Sequence, residues 1–86
     1  MTTPYNPAVI GQIIRRLRKE RGLSQEVLSG FAGIARSHLA MIEPGVKSPT
    51  IETLWRLSDA LGIRLSTLFL CAEELFPDPP GPHTQE

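Results

Sequence analysis

Hydrophobic residues recur at helical spacing in five short segments of the chain, and glycine or proline separates most of these segments. The first segment follows Asn6 and Pro7, an N-cap acceptor and a residue suited to the first helical position. Its apolar stripe consists of Ile10, Ile13, Ile14 and Leu17. Gly22 is placed to end this helix in the left-handed conformation.

The second and third segments are predicted to form a pair of short helices. Ser24 precedes the second helix as its N-cap, and Gly33 ends it. The apolar residues of this helix are Val27, Leu28, Phe31 and Ala32. The third helix runs from Arg36 to Glu43, because the residue before Pro44 avoids the helical conformation. Two short helices joined by a tight glycine turn indicate a helix-turn-helix, although the geometry alone is common.

The last two segments complete an all-α chain without strands. Thr50 caps the fourth helix, Gly62 closes it, and Ser66 caps the fifth helix. The predicted buried side of the fourth helix is Ile51, Leu54, Leu57, Ser58 and Leu61. The apolar residues of the fifth helix are Leu68, Phe69, Ala72, Leu75 and Phe76. We predict one domain over residues 1–76 and an extended, disordered proline-rich tail over residues 77–86.

Composition excludes several kinds of site. The single Cys71 excludes an internal disulfide framework and a cysteine-based zinc site, and it fits a reducing, cytoplasmic setting. No apolar run reaches the roughly 18 residues that a membrane helix needs, so no membrane partner is expected. The chain has no nucleophile–base pairing, metal-ligand spacing or glycine-rich phosphate loop. We therefore expect neither an enzyme nor a metal or other cofactor.

Charge is unevenly distributed along the chain, although the formal net charge is zero. Four of the nine acidic residues lie at or after Glu73, where there is no lysine or arginine. Residues 1–72 therefore carry nine basic residues against five acidic ones, a balance of +4. Local positive charge attracts nucleic-acid phosphates whatever the net charge of the chain, so the composition is compatible with DNA binding.

The stretch LSQEVLSGFAGIARSHLAMIEPGVKSPTIETLWRLSDALGI, residues 23–63, contains a series of spaced motifs. They are Leu-Ser-Gln-Glu, Ala-Gly-Ile, Ile-Glu-x-Gly, Pro-Thr and Leu-x-x-Ala-Leu-Gly. In these positions the chain resembles the phage-repressor and Cro-type helix-turn-helix family. The resemblance implies a five-helix, lambda-repressor-like DNA-binding domain whose third helix enters the major groove. It also implies a transcriptional regulator, usually dimeric, and the short chain favours a small stand-alone regulator of repressor or controller type.

The resemblance further implies roles for individual residues. Arg18 and Glu43 match a charge pair that ties the first helix to the third. Gln25 matches a glutamine that bonds the DNA phosphate backbone, and Lys47 lies in the loop that usually flanks this backbone. The predicted DNA-binding residues are Ser24, Gln25, Arg36, Ser37, His38, Ala40, Met41 and Lys47.

A helical wheel of the third helix supports this assignment from the residues themselves. One arc carries Arg36, Ser37, Ala40 and Met41. The opposite arc, predicted to face the core, carries Leu39, Ile42 and Glu43. Arg36 has the geometry to bind guanine and Met41 to contact the methyl group of thymine, so we predict a mixed base-reading code.

Three residues depart from the family pattern and keep a second function class open. Ala35 stands where the family often has a capping serine or threonine, and Met41 and Pro44 stand where it often has polar residues. The aromatic residues Phe31 and Trp55 fall where polar residues are common, which fits either ordinary packing or an interface. The alternative is a protein-interaction module of the same fold, such as an antitoxin or a regulatory adaptor.

The fifth helix is the predicted dimer interface, because its apolar bulk is more than a small monomer should expose. The predicted interface residues are Leu68, Phe69, Ala72, Leu75 and Phe76. A two-fold homodimer places its recognition helices about 34 Å apart, one turn of DNA. We therefore expect the partner to be double-stranded DNA with a near-palindromic operator.

Overall fold

The computed structural model describes residues 6–75, so Phe76, the tail at residues 77–86 and the predictions made for them lie outside this part. The described chain forms five helices and no strand, as predicted. The helices are α1 (Pro7–Glu20), α2 (Gln25–Ala32), α3 (Arg36–Ile42), α4 (Ile51–Leu61) and α5 (Leu65–Leu75). Of these helices, none is both long and apolar enough to cross a membrane.

Side-chain caps begin α1, α2 and α4 where the sequence predicts them. The caps are Asn6, Ser24 and Thr50, whose side-chain oxygens accept a first-turn N–H at 3.0 or 3.1 Å. Each cap satisfies a backbone donor that has no acceptor within the helix. The left-handed Gly33 and Gly62 end α2 and α4, which confirms the predicted boundaries of these two helices.

The start of α5 differs from the prediction that Ser66 caps it. The helix begins at Leu65, and the carbonyl oxygen of Arg64 accepts the N–H of Thr67 at 3.0 Å. Ser66 is therefore an exposed residue of the first turn. The physical reason is the packing of Leu65 against the hydrophobic core, which brings this residue into the helix.

α3 ends at Ile42, one residue before the predicted end at Glu43. Glu43 follows the last helical residue, Ile42, yet it keeps helical dihedral angles, with φ of −61° and ψ of −43°. Its N–H donates to the carbonyl oxygen of Leu39 at 3.1 Å. Proline disfavours this conformation in the residue before it, so the buried contacts of Glu43 described below hold it there. The chain turns at Gly45, where φ is 86°.

Every helix contributes to one hydrophobic core. The large side chains that are fully buried are Ile13, Ile14, Leu28, Leu39, Ile42, Leu57 and Leu68. Ile51, which was predicted to be buried, is 62% exposed, and among the apolar residues of α2 Val27 is 41% exposed and Phe31 is 67% exposed. On α2 the stripe containing Leu28 and Ala32 turns inward, which leaves Val27 and Phe31 on the outer face. Ile51 lies on the solvent side of α4 in the same way.

Glycine allows α1 to lie directly against the last turn of α3. A Cβ atom added to Gly11 would overlap the carbonyl oxygens of Ile42 and Glu43. One added to Gly45 would lie 2.7 Å from the Cα of Ala8. Both approaches involve backbone atoms, which cannot turn aside as a flexible side chain can. This close packing brings the carboxylate of Glu43 within reach of α1.

Candidate nucleic-acid interface

A buried ion pair joins α1 to the end of α3. Arg18 Nε donates to Glu43 Oε2 at 2.7 Å, and Arg18 Nη2 donates to Glu43 Oε1 at 2.9 Å. Only 10% of the Arg18 side chain and 3% of the Glu43 side chain are exposed. Arg18 Nη1 also donates to the carbonyl oxygen of Leu23, between α1 and α2, at 2.8 Å. The predicted pair is confirmed, and it ties α1, the following turn and the end of α3 together.

Gln25 belongs to the same cluster, a contact that the sequence did not reveal. Its Nε2 donates to Glu43 Oε1 at 3.0 Å. Glu43 therefore accepts three hydrogen bonds, two from Arg18 and one from Gln25. Gln25 and Glu43 are 18 residues apart, so no local spacing rule links them. We call Arg18, Gln25 and Glu43 the buried polar cluster.

The hydrogen bond to Glu43 raises the pKa of Arg18 above its ordinary value, and the charge of Glu43 acts in the same direction, while burial opposes both. When folding raises the pKa of a basic group, its charged form stabilises the fold in full at every pH below the group's ordinary pKa. This stabilisation is lost only as pH rises through the raised pKa. The ordinary pKa of arginine already lies far above neutral pH. Arg18 therefore remains charged at neutral pH, and the ion pair is not released by its deprotonation.

The outer face of α3 carries the residues predicted to read bases. Arg36, Ser37 and Met41 are exposed, and His38 and Ala40 are half-buried. The inner face is buried as the helical wheel predicts, with Leu39, Ile42 and Glu43 all at 4% exposure or less. The outer side chains of α3 thus present one positive charge, one hydroxyl group and an apolar thioether, none of which contributes to the core.

Two polar residues suited to phosphate flank the two helices in the chain, Ser24 directly before α2 and Lys47 in the loop after α3. The N–H of Lys47 donates to the carbonyl oxygen of Met41 at 3.1 Å, which holds the loop after α3 against its last turn. The Lys47 side chain is exposed. At the start of α2, Ser24 Oγ accepts the N–H of Val27, and its O–H group still has a proton to donate.

Several other arginine contacts belong to the fold itself. Arg21 Nε donates to the carbonyl oxygen of Leu61 at 2.7 Å and so joins the ends of α1 and α4. Exposed ion pairs within single helices are Arg16–Glu20 at 3.7 Å and Arg56–Glu52 at 2.9 Å. Pairs of this kind contribute only about 0.3–0.5 kcal/mol. Ion pairs within a single helix are local and can be predicted from the sequence. The contact between Arg21 and Leu61 spans 40 residues and has no sequence signal.

The predicted dimer interface on α5 is wrong in part. Leu68 is fully buried and Ala72 is 9% exposed, both in the core of the single chain, so they have almost no surface to offer a second copy. Phe69 is 37% exposed and Leu75 is 42% exposed. Leu70, which the prediction omitted, is 57% exposed. Apolar residues occur on almost every side of α5, so its periodicity did not show which side packs inward.

Comparison with known proteins identifies relatives of this chain. A family model described as Helix-turn-helix matches residues 14–68. The immunity repressor protein of Bacillus phage phi105 is 42% identical over 59 residues, which are 69% of this chain and 41% of the repressor. The transcriptional regulator SinR of Bacillus subtilis is 39% identical over 61 residues, 70% of this chain and 55% of SinR. The chain thus spans about half the length of these two relatives.

Solved structures show the same fold. The restriction-modification controller protein C.AhdI from Aeromonas hydrophila matches with a TM-score of 0.72 and 35% identity, over 73% of this chain and 96% of C.AhdI. A crystal structure of SinR in complex with DNA matches with a TM-score of 0.66 and 39% identity, over 70% of this chain and 97% of that one. The stretch matched by the family model includes α2, α3 and the whole buried polar cluster. The chain therefore belongs to the helix-turn-helix family.

Proposed function

We propose that this chain is a sequence-specific DNA-binding transcriptional regulator that places α3 in the major groove. The outer face of α3 carries the proposal, since its side chains are exposed while the buried polar cluster fixes the end of the helix. A recognition helix needs this combination of a firm support and side chains that the fold does not use. The names of the relatives favour a repressor or controller, and one relative was crystallised with DNA.

The proposed contacts divide into two groups. Arg36 reads guanine through its O6 and N7 atoms, and Ala40 and Met41 contact thymine methyl groups, with Ser37 able to bond either kind of base. The second group binds phosphates and fixes the position of the protein without reading sequence. Its members are Ser24, Gln25, His38 and Lys47. We place this regulator in the cytoplasm.

Arg36→Ala tests the base-reading role of α3. We expect the variant to bind a selected duplex more weakly by about 1–3 kcal/mol for each half-site and to lose its base preference at one position of each half-site. The physical reason is the loss of a bidentate contact, which no other exposed residue of α3 can replace. Fluorescence titration against a set of duplexes with single base changes measures both effects. Unchanged affinity and unchanged preference would contradict the proposed role.

Lys47→Ala is the matched control, because it also removes one exposed positive charge beside the same face. A phosphate contact carries no sequence information, so this variant should weaken binding to all duplexes by a similar factor. The slope of log K against log salt concentration should fall by about one for each protomer, hence by about two for a dimer. Similar patterns for the two variants would show that Arg36 is only a phosphate contact.

The proposal includes a homodimer that uses the exposed side of α5. Phe69, Leu70 and Leu75 are the exposed large apolar residues of α5 within the described residues. We expect a dimer in sedimentation velocity at tens of micromolar, and Leu70→Lys should raise the dimer Kd at least about tenfold. Val46→Lys, which changes a 72% exposed residue outside α5, is the control and should sediment as the unmodified chain does. A monomer throughout the concentration range would contradict the dimer.

A protein-interaction module remains the second candidate because of four exposed apolar residues. Val27 and Phe31 lie one turn apart on α2, and Ile51 and Trp55 lie one turn apart on α4. A salt series separates the two candidates. DNA binding through about six phosphate contacts weakens by several powers of ten between low and moderate salt, whereas an apolar protein contact changes little.

A further inference from the structure

We infer that Glu43 is a positioning residue for DNA binding, because its buried carboxylate holds the amide group of Gln25 in place for a backbone phosphate. This inference rests on the proposed function. It gives Glu43 a second task besides the ion pair with Arg18. The evidence lies in how the three members of the buried polar cluster share their hydrogen bonds.

The amide nitrogen of Gln25 has the two protons that this task requires. One proton is directed to Glu43 Oε1, at 3.0 Å between the heavy atoms. The other can donate to a phosphate oxygen at the same time, since Gln25 is only half-buried. Gln25 is also the first residue of α2, where backbone N–H groups lack acceptors within the helix. The side chain and these N–H groups can therefore meet one phosphate together.

Glu43 is a rigid support for this amide. Two hydrogen bonds from Arg18 fix its carboxylate, and its side chain is 3% exposed. A glutamine side chain loses rotamer freedom when it binds, and this loss weakens binding. A side chain that is ordered beforehand avoids most of this loss, which corresponds to about 2- to 10-fold in affinity.

The position of Glu43 in the chain adds a second consequence. It follows α3 directly, whereas Gln25 begins α2. One carboxylate therefore fixes the phosphate-binding end of α2 relative to the base-reading helix. If Gln25 no longer bonds Glu43, the phosphate contacts of α2 and the base contacts of α3 should fit the same duplex less well.

The first test uses the free protein and needs no DNA. Nuclear magnetic resonance relaxation of side-chain amide groups compares Gln25 with Gln12, an exposed glutamine on α1. We expect the Gln25 amide to be ordered and the Gln12 amide to be mobile. In the double variant Arg18→Met, Glu43→Leu, which replaces the ion pair with apolar side chains, the Gln25 amide should become as mobile as that of Gln12. Equal mobility of the two amides in the unmodified chain would overturn the inference.

The second test uses a duplex that the unmodified chain selects from random DNA, with single phosphates replaced by neutral methylphosphonates. The phosphate bound by Gln25 is the one whose replacement no longer weakens DNA binding by the Gln25→Ala variant. The phosphate bound by Lys47 is identified in the same way with the Lys47→Ala variant. Neutralising the Gln25 phosphate should weaken the unmodified chain about tenfold and the double variant less than about threefold. Neutralising the Lys47 phosphate should affect both proteins equally, provided circular dichroism shows that both are folded.

The outcomes are distinct. Equal effects of the Gln25 phosphate in both proteins would overturn the inference while leaving DNA binding intact. Weaker effects at both phosphates would show a general loosening of the fold, which also contradicts the specific role of Glu43. Failure of the unmodified chain to select any duplex would overturn the proposed function instead.

Discussion

Gly11→Ala is expected to destabilise the domain by about 3 kcal/mol or more, at the upper end of the range for overpacked sites. The added Cβ would overlap the carbonyl oxygens of Ile42 and Glu43, which belong to the backbone. α1 could make room only by moving away from α3, and that movement would stretch the Arg18–Glu43 pair. Urea unfolding followed by circular dichroism measures the change in the free energy of unfolding.

Gly30→Ala is the matched control for this substitution. Gly30 also lies inside a helix, but a Cβ added there has open space around it. Because alanine favours the helix over glycine, we expect a gain of about 0.5–1 kcal/mol in stability. Opposite signs for the two variants would support the close approach of α1 and α3. A mild, equal effect of both substitutions would show that Gly11 is an ordinary helix residue.

Arg18→Met is expected to reduce the free energy of unfolding by about 3–5 kcal/mol, because it leaves the buried carboxylate of Glu43 without its cation. Gln25 alone cannot compensate a charge that is 3% exposed. Arg16→Met is the control on the same helix. It removes an exposed pair with a distance of 3.7 Å, so its effect should stay within about 0.5 kcal/mol.

A second replacement separates the charge from the packing. Adding Glu43→Leu to Arg18→Met removes the unpaired carboxylate, and replacement of both partners by apolar groups is often close to neutral. Thermal unfolding at neutral pH should therefore show that the double variant regains most of the stability lost in Arg18→Met. If Arg18→Met and Arg16→Met had similar effects, or if the second replacement gave no recovery, the ion pair would not be the source of the stability.

Much of the fold could be predicted because its signals are local. Asn6, Ser24 and Thr50 cap helices where a short polar residue precedes an apolar stripe, and the caps form as expected. The inward face of α3 also follows from helical spacing. The buried partner of Glu43 does not follow from spacing, since Arg18 lies 25 residues away, and only the family resemblance indicated it.

The errors arise where apolar residues outnumber the positions that the core can hold. Ile51 shares α4 with the buried Leu54 and Leu57, and the pattern counted all three as core. On α5 the same ambiguity assigned Leu68 to a dimer interface, although the chain's own core encloses it. Which apolar side turns inward depends on neighbouring helices that are distant in sequence.

Part of the candidate site depends on contacts that no sequence pattern shows. The Gln25–Glu43 hydrogen bond joins the start of α2 to the residue after α3, and Gly11 and Arg18 of α1 contact that same residue. Each of these residues has an ordinary appearance in its own segment. Their relation appears only after the helices have packed.

Selection of duplexes from a random DNA pool, followed by sequencing, tests the central claim most directly. We predict enrichment of a near-palindromic sequence whose half-sites are about 10 base pairs apart, centre to centre, as expected for two recognition helices related by a two-fold axis. The enriched half-site should contain a guanine whose preference is lost in Arg36→Ala. A pool that shows no enrichment after repeated rounds, with the chain folded throughout, would contradict sequence-specific DNA binding.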